Sequence, residues 1–306
     1  MTILQQFGPT YRDDGQAFYA HKWLNRLPDT TCLRVPVTVP PDQWPEHDAL
    51  LFVDFGHDAL GLPLAVPPKG KPSLCWLSDT HFSPAAKANR FRWAEAFDIA
   101  CFVHADGAEE YRAGHREQTV HWLPVAADHE IYHPPTELIE PRWDLCFVGH
   151  VGHPRRDEIL ERVFAAVPSF TWKSGVFFED CCRVYHQSRI VFNVSLCGDL
   201  NMRTFEALWA GALLLTDPQL SMAEVDIVNG ENALIYETAD EAIKLARWAL
   251  AHPEERQTIC IRNELWRNLT AHTYQDRAKE IRAYLSGMLE YRQSPLGASP
   301  MGGFHA

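Results

Sequence analysis

Arg203 and Glu206 stand three residues apart at the head of an otherwise apolar stretch, "NMRTFEALWAGALLLTD", residues 201–217. That spacing puts both on one face of a helix, one turn apart. A short helix is expected from Met202 to Ala210, stopped by Gly211. "ALLLT" then reads as a strand buried on both faces. Glu206 would lie near the start of an enclosed helix, where the positive end of the dipole favours ionisation. An ionised carboxylate offers only acceptors, so it suits a ligand with paired hydroxyls, such as a ribose. Arg203 either pairs with Glu206 or reaches a phosphate. The preceding loop is polar, with Asn193, Ser195, Gly198, Asp199 and Asn201.

Three other turns carry chemistry-bearing residues. In "FVGHVGHPRRDEIL" a buried strand runs into Gly149, His150, Gly152 and His153, with Pro154 at a first helical position. Glycines and a helix N-terminus together favour an anion, and Arg155 and Arg156 add fixed cations suited to phosphate. The alternative is a plain turn whose arginines face Asp157 and Glu161. In "CWLSDTHFSP", Asp79 and His81 follow a strand and form a general acid–base candidate. Asp79 as the cap of the next helix is the alternative. Lys173 in "TWKSG" is either a nucleotide contact or a solvated loop lysine. Gly8, Pro9 and Gly15 mark a further turn after the first strand, equally natural in a plain loop.

The elements that must position these turns alternate along the chain. Strands are expected at "TILQQF", "CLRVPV", "ALLFVDF", "SLCWLS", "DIACFVH" and "TVHWLP", with helices at "GQAFYAHKWLNRL", "AAKANRFRWAEAF" and "GAEEYRAG". Such alternation predicts a parallel sheet covered on both faces. It breaks at the Pro-rich "HEIYHPPTELIEPRW", then restarts at "DLCFVGH" and ends in consecutive helices from Ala239 to about Tyr291. The reading is two α/β domains, residues 1–135 and 136–291, with a disordered tail over 292–306. Ligands of open α/β sheets bind outside the carboxyl ends of the strands, so a cleft between the domains is the expected site.

Composition narrows the classes. At 306 residues the chain has room for two domains, and 46% hydrophobic residues is ordinary for a globular protein. A formal charge of −12 argues against nucleic acid or an anionic membrane as partner. No apolar run reaches the roughly 18–20 residues of a transmembrane helix, and "MTILQQFGPTYRDDG" lacks a signal-peptide pattern. A cytoplasmic protein is expected. The eight cysteines include no C-x-x-C and the 15 histidines show no ligand spacing, so no metal is expected. There is no G-x-G-x-x-G after the first strand and no P-loop motif, which weakens dehydrogenase and NTPase readings.

The run from "RIVFNVSLCGDLNMRTFEALWAGALLLTD" through "HTYQDRAKEIRAYL", with "WDLCFVGHVGHPRR" and "VHWLPVAADHEIYHP", resembles the CgeB-like, spore-maturation-type glycosyltransferases. These belong with the group 1 glycosyltransferases of the GT-B fold. The likeness extends from about Phe97 onward; before that only "LLFVDFG" and "CWLSDTHF" are similar. It implies a GT-B α/β fold of two Rossmann-like domains and transfer of a hexose from a nucleotide-sugar to an acceptor hydroxyl, without cofactor or metal. It implies that Glu206 binds the ribose, and that the backbone at Leu200, Asn201, Met202 and Arg203 lies beside the diphosphate. Gly149, His150, Arg155, Arg156 and Lys173 would complete the donor site. Asp79 and His81 would face the acceptor or sugar from the first domain. Many retaining relatives carry two glutamates with seven residues between them; here the first position is Gly198, with Asp199 beside it as a substitute. A GT-B sugar-nucleotide epimerase and a non-catalytic nucleotide-sugar-binding protein are the alternatives.

Overall fold

The computed structural model describes residues 1–7, 15–54, 67 and 70–293. The chain forms two compact units, one of Met1–Leu123 with the segment from Gln275 onward, the other of Pro124–Tyr274.

The first unit is built on a six-stranded sheet of order β2-β1-β3-β4-β5-β6, every neighbouring pair parallel. Its strands are β1 (Thr2–Phe7), β2 (Thr31–Pro36), β3 (Ala49–Val53), β4 (Ser73–Leu77), β5 (Ile99–Phe102) and β6 (Thr119–Trp122). Every residue of β3, β4 and β5 is buried, as a sheet covered on both faces requires. The helices α1 (Gln16–Leu24), α2 (Pro84–Ala94) and α3 (Ala105–Gly114) follow β1, β4 and β5. Ser83 caps α2 by accepting from the Ala86 N–H at 3.1 Å, and Pro84 occupies the first turn, where its missing N–H costs nothing. The capping alternative for Asp79 is thereby corrected.

The second unit carries a five-stranded sheet of order β11-β10-β9-β7-β8, also parallel throughout. Its strands are β7 (Trp143–Val148), β8 (Phe170–Lys173), β9 (Ser188–Asn193), β10 (Leu214–Thr216) and β11 (Leu234–Ile235). The helices are α4 (Pro154–Ala166), α5 (Phe178–His186), α6 (Met202–Trp209), α7 (Ala239–Ala251) and α8 (Pro253–Leu269). Leu145, Phe147, Ile190, Phe192, Leu213 and Leu215 form the centre of its core with Tyr236 and the alanine face of α7. The strand order reverses between β7 and β9. In open α/β sheets the carboxyl ends of the strands at such a reversal are where ligands bind.

α6 is held at its far end by α8. Asn263 Nδ2 donates to the Ala212 carbonyl at 2.9 Å, and Arg267 Nη1 donates to the Leu208 carbonyl at 2.9 Å. The Leu208 carbonyl, in the last turn of α6, also accepts from the Gly211 N–H at 3.1 Å, and the Ala212 carbonyl lies just beyond the helix. Gly211, at φ +75°, makes the left-handed stop.

The sequence reading divided the chain at 135–136 and placed the closing helix α9 (Tyr274–Gln293) with the second domain. In the structure the first unit ends at Leu123 and takes back the chain from Gln275. His121 stacks on Tyr284 with ring centroids 4.0 Å apart, and Arg292 pairs with Asp98. Such long-range partners leave no local pattern. Gly8, Pro9 and most of the tail, residues 294–306, lie outside the described residues; Gly15 precedes α1 as its N-cap. No helix of the described residues is long and apolar enough to cross a membrane.

Candidate functional site

Glu206 lies in the middle of α6 and is 8% exposed. Burial pushes its carboxyl up to about 7, against the opposing pull of the Arg203 charge and the Tyr132 and Tyr185 hydroxyls. Tyr185, from α5, donates to Glu206 Oε2 at 3.5 Å. Of the two alternatives for Arg203, the pairing with Glu206 is not made. Arg203 Nε instead donates to the Val148 carbonyl at 2.6 Å, and Nη1 donates to Asn193 Oδ1. The guanidinium lies 4.4 Å from the centroid of the Phe147 ring.

Gly149 is explained by that guanidinium. A Cβ there would lie 2.1 Å from Arg203 Nη2 and 3.1 Å from Phe147 Cζ. Gly149→Ala is expected to displace Arg203 from the Val148 carbonyl and destabilise the second unit by about 1–3 kcal/mol. Urea denaturation of the two proteins side by side measures this.

The turn after β7 is closed by its own side chains. The Gly152 N–H donates to both oxygens of Asp157, at 3.0 and 2.9 Å. Arg155 Nη2 donates to Asp217 Oδ2 at 2.8 Å, and its Nη1 donates to the Ser195 carbonyl at 2.9 Å. Arg156 is buried; its Nε and Nη2 donate to the Val194 carbonyl and Nη1 to the His150 carbonyl. Burial, with Arg203 close by, lowers its pKa to about 10. The alternative of a solvated pair fails for Arg156, which is buried, while Arg155 keeps a side chain 43% exposed; their bonds to the Ser195 and Val194 carbonyls tie the turn after β7 to the loop after β9. His150 is exposed, with Nδ1 3.4 Å from Ser174 Oγ. The side chain of Lys173 is exposed, and its carbonyl accepts from the Gly149 N–H at 2.9 Å.

The β9 loop is also self-braced. Asp199 Oδ1 accepts from the Leu196 and Cys197 N–H groups at 2.9 and 3.2 Å. Asp217 is fully buried and accepts from the Ser195 N–H at 2.8 Å and from Ser195 Oγ at 2.6 Å. Below the loop, Asn193 Nδ2 donates to Thr204 and Thr216 Oγ1, which Gln219 ties to each other. Asn201, the N-cap of α6, makes no side-chain cap bond, and both its side-chain polar atoms are buried without a partner. Met202 follows, half-buried, as the first residue of α6. An unsatisfied buried amide beside a helix N-terminus is costly in an empty site and useful in a filled one.

Sequence reasoning missed Asp217, Tyr132 and Tyr185. Asp217 had a signal: a carboxylate that ends the apolar strand "ALLLT" sits at the carboxyl edge of the sheet.

In the first unit, Asp79 and His81 come together. Asp79 adopts φ +56° directly after β4, with Oδ2 3.9 Å from Arg90 Nη2. His104, which the sequence reading did not single out, joins them from the end of β5. Its ring centroid lies 4.1 Å from that of His81 at an interplanar angle of 71°. Beneath the turn, Arg90 and Asp54 form an ion pair at 2.9 Å with both side chains fully buried. Asp54 Oδ2 also accepts from the N–H and Oγ of Ser78, each at 3.2 Å.

Two Rossmann-like units with parallel sheets, each followed by helices at the strand ends, give the chain an α/β fold of the GT-B class. Residues 136–283 match the model of a family described as glycosyl transferase-like. The chain is similar to HepE (Alr3699) of Anabaena, solved in complex with UDP-glucose. They share 12% identity over 94% of this chain and 100% of that one, with a TM-score of 0.69. It is similar too to sucrose-phosphate synthase (tll1590) from Thermosynechococcus elongatus, at 10% identity, 94% and 99% coverage and a TM-score of 0.66. A glycosyltransferase from Rickettsia africae ESF-5 matches at 8% identity, 94% and 98% coverage and a TM-score of 0.65. No curated protein matches the chain.

Proposed function

We propose that the protein is a CgeB-like glycosyltransferase that moves a hexose from a UDP-sugar to an acceptor hydroxyl, with retention and without a metal at the diphosphate. The observation that carries the reading is the buried Glu206 on α6, the helix that follows β9 and whose N-cap Asn201 has a buried amide without a partner, with the strand order of the second sheet reversing between β7 and β9. Glu206 accepts the two ribose hydroxyls. The N-terminal N–H groups of α6 and the Asn201 amide take the diphosphate, which a helix N-terminus favours. Arg203 adds positive charge from below, and Arg155 and Arg156 fix the two loops between which the donor lies. As the leaving diphosphate gains charge, these preorganised donors stabilise it. Lys173 and His150, at the rim, are assigned to the nucleotide. Asp199 is assigned to the donor sugar and Asp79 with His81 to the acceptor hydroxyl. The match of residues 136–283 to the glycosyl transferase-like family supports the class, and the UDP-glucose held by HepE supports uridine as the base. The eight free thiols fit a reducing, cytoplasmic setting.

A second reading, a nucleotide-sugar-binding protein without transfer, is favoured by one feature: Asp199 is turned onto its own loop amides, and Gly198 offers no carboxylate. One experiment separates the two. The melting temperature is measured with UDP-, GDP-, dTDP- and ADP-sugars, because a ligand of the native state raises it. The donor that binds is then assayed for hydrolysis and for transfer to an acceptor panel. The transferase reading expects a UDP-sugar to stabilise the protein and to lose its sugar. Binding without turnover leaves the non-catalytic reading, and no stabilisation by any donor rejects both.

A further inference from the structure

We propose that Asp79, His81 and His104 form a three-ligand site for one divalent transition-metal ion of the zinc class. The site follows from the sheet. β4 and β5 are parallel neighbours in register, with Leu77 opposite Phe102, so the residues just beyond their carboxyl ends emerge side by side. Those residues are the turn Ser78–His81 and the α3 N-cap His104. Each of the three side chains brings one ligand atom, and the three atoms lie within 4.8 Å of one another. Around a tetrahedral ion with bonds of about 2.0–2.2 Å, ligand atoms stand closer than this, so each must move inward by roughly an ångström or less. Asp79 and His81 are only partly buried, while His104 is held at 8% exposure.

The donor set selects the ion. Two imidazoles and one carboxylate suit zinc and its first-row neighbours, whereas calcium and magnesium take oxygen ligands. Three protein ligands leave an open position for an oxygen ligand, the arrangement of reactive rather than purely structural zinc sites.

The surroundings are those of a supported site. Ser78 is pinned by Asp54, and the Val103 N–H donates to the Leu77 carbonyl at 2.8 Å, which locks the two strand ends together. The first turn of α3 packs directly on the ligand turn: a Cβ at Gly107 would lie 2.5 Å from Thr80 Oγ1. Arg90 Nη2 lies 3.9 Å from Asp79 Oδ2, within reach to act as an outer-shell partner of a metal-bound carboxylate. Its charge does not repel a bound cation at full strength, because Asp54 neutralises it in a fully buried pair.

The test uses the full chain, stripped with chelator and dialysed, and zinc chloride alone as the probe. Calorimetry is expected to give one zinc per chain, with a rise in melting temperature and no comparable response to magnesium chloride. His81→Ala and His104→Ala should each weaken zinc by at least about tenfold, the lower bound for losing an outer-shell partner. Cobalt(II) supplies a second readout, since its visible absorption reports coordination and should be lost in the same variants. His81→Ala keeps the test usable if the variant at the buried His104 fails to fold. A wild-type chain that takes up no stoichiometric zinc, or takes up magnesium equally well, overturns the assignment. So does a folded histidine variant that binds zinc as tightly as the wild type. No sugar nucleotide is present, so the outcome is independent of the transferase reading.

Discussion

Glu206→Gln is expected to raise the melting temperature at pH 8 while weakening sugar-nucleotide binding by about 10–100-fold. Both effects come from one burial. The carboxyl of Glu206 titrates at about 7 in the folded chain, against about 4.3 for an unfolded glutamate. The folded state therefore holds more protons between those values. Stability falls as pH rises from about 4 to about 7 and is level above that, a cost on the order of 3 kcal/mol. Glutamine has the same shape and no charge to desolvate, so the variant escapes that cost in the ligand-free state. Its advantage should be largest at pH 8 and vanish near pH 4. The binding loss has the opposite sign because hydrogen bonds to a charged acceptor are worth about 1.5–3 kcal/mol, and each 1.4 kcal/mol is a factor of ten. Donor affinity of the unsubstituted protein should rise about tenfold from pH 6 to pH 8 as Glu206 ionises, while that of Glu206→Gln stays flat. Calorimetric titration with the donor at both pH values, beside thermal melts, measures all of this. An equal pH response in the two proteins would remove Glu206 from the site.

The same residue shows where sequence reasoning holds and where it stops. The helix from Met202 and its stop at Gly211 were legible, because an apolar run after a polar loop and a glycine beyond the last turn are local signals. So were the β-α alternation and the parallel sheets. The ionisation state of Glu206 was not. The helix dipole is worth about 2 kcal/mol at best, whereas full burial shifts a carboxyl by up to several pKa units. How deeply α6 is enclosed depends on α5 and α8, which are distant in sequence. Arg203 illustrates the same limit. Its i,i+3 spacing to Glu206 was visible, but the Val148 carbonyl and the Phe147 face that claim it are not near in the chain. Arg155 and Arg156 read as free cations because their partners, Asp217 and Val194, belong to other strand ends. His104 escaped notice for the converse reason: His81 and Asp79 share a turn, whereas His104 joins them only through the β4–β5 pairing. Spacing along the chain identifies partners within one element. Partners across a sheet become visible only with its strand order.

Asp54→Ala is expected to be the most damaging single change in the first unit, at about 3–5 kcal/mol. Asp54 and Arg90 are each fully buried, and their ion pair at 2.9 Å is what makes the Arg90 charge tolerable there. Arg90 Nη1 already lacks a partner, and without Asp54 the guanidinium keeps only the Ser78 carbonyl, which accepts from Nε at 3.2 Å, as a hydrogen-bond acceptor. Removing the carboxylate leaves an uncompensated charge inside the core, with Asp79 at 3.9 Å as the nearest replacement. If Arg90 turned toward Asp79, it would pull the Ser78–His81 turn from its place, because the bonds of Asp54 to Ser78 would be gone as well. The melting temperature should fall on the order of 10 °C. Replacing both partners, as Asp54→Leu with Arg90→Met, removes the charge together with its counter-ion and should recover most of the loss. The double variant is the decisive arm. If it is as unstable as Asp54→Ala, packing around β3 and α2 rather than the stranded charge sets the cost. If it regains stability, any remaining deficit at Asp79 and His81 belongs to the lost bracing of their turn, read separately as weaker binding or slower turnover.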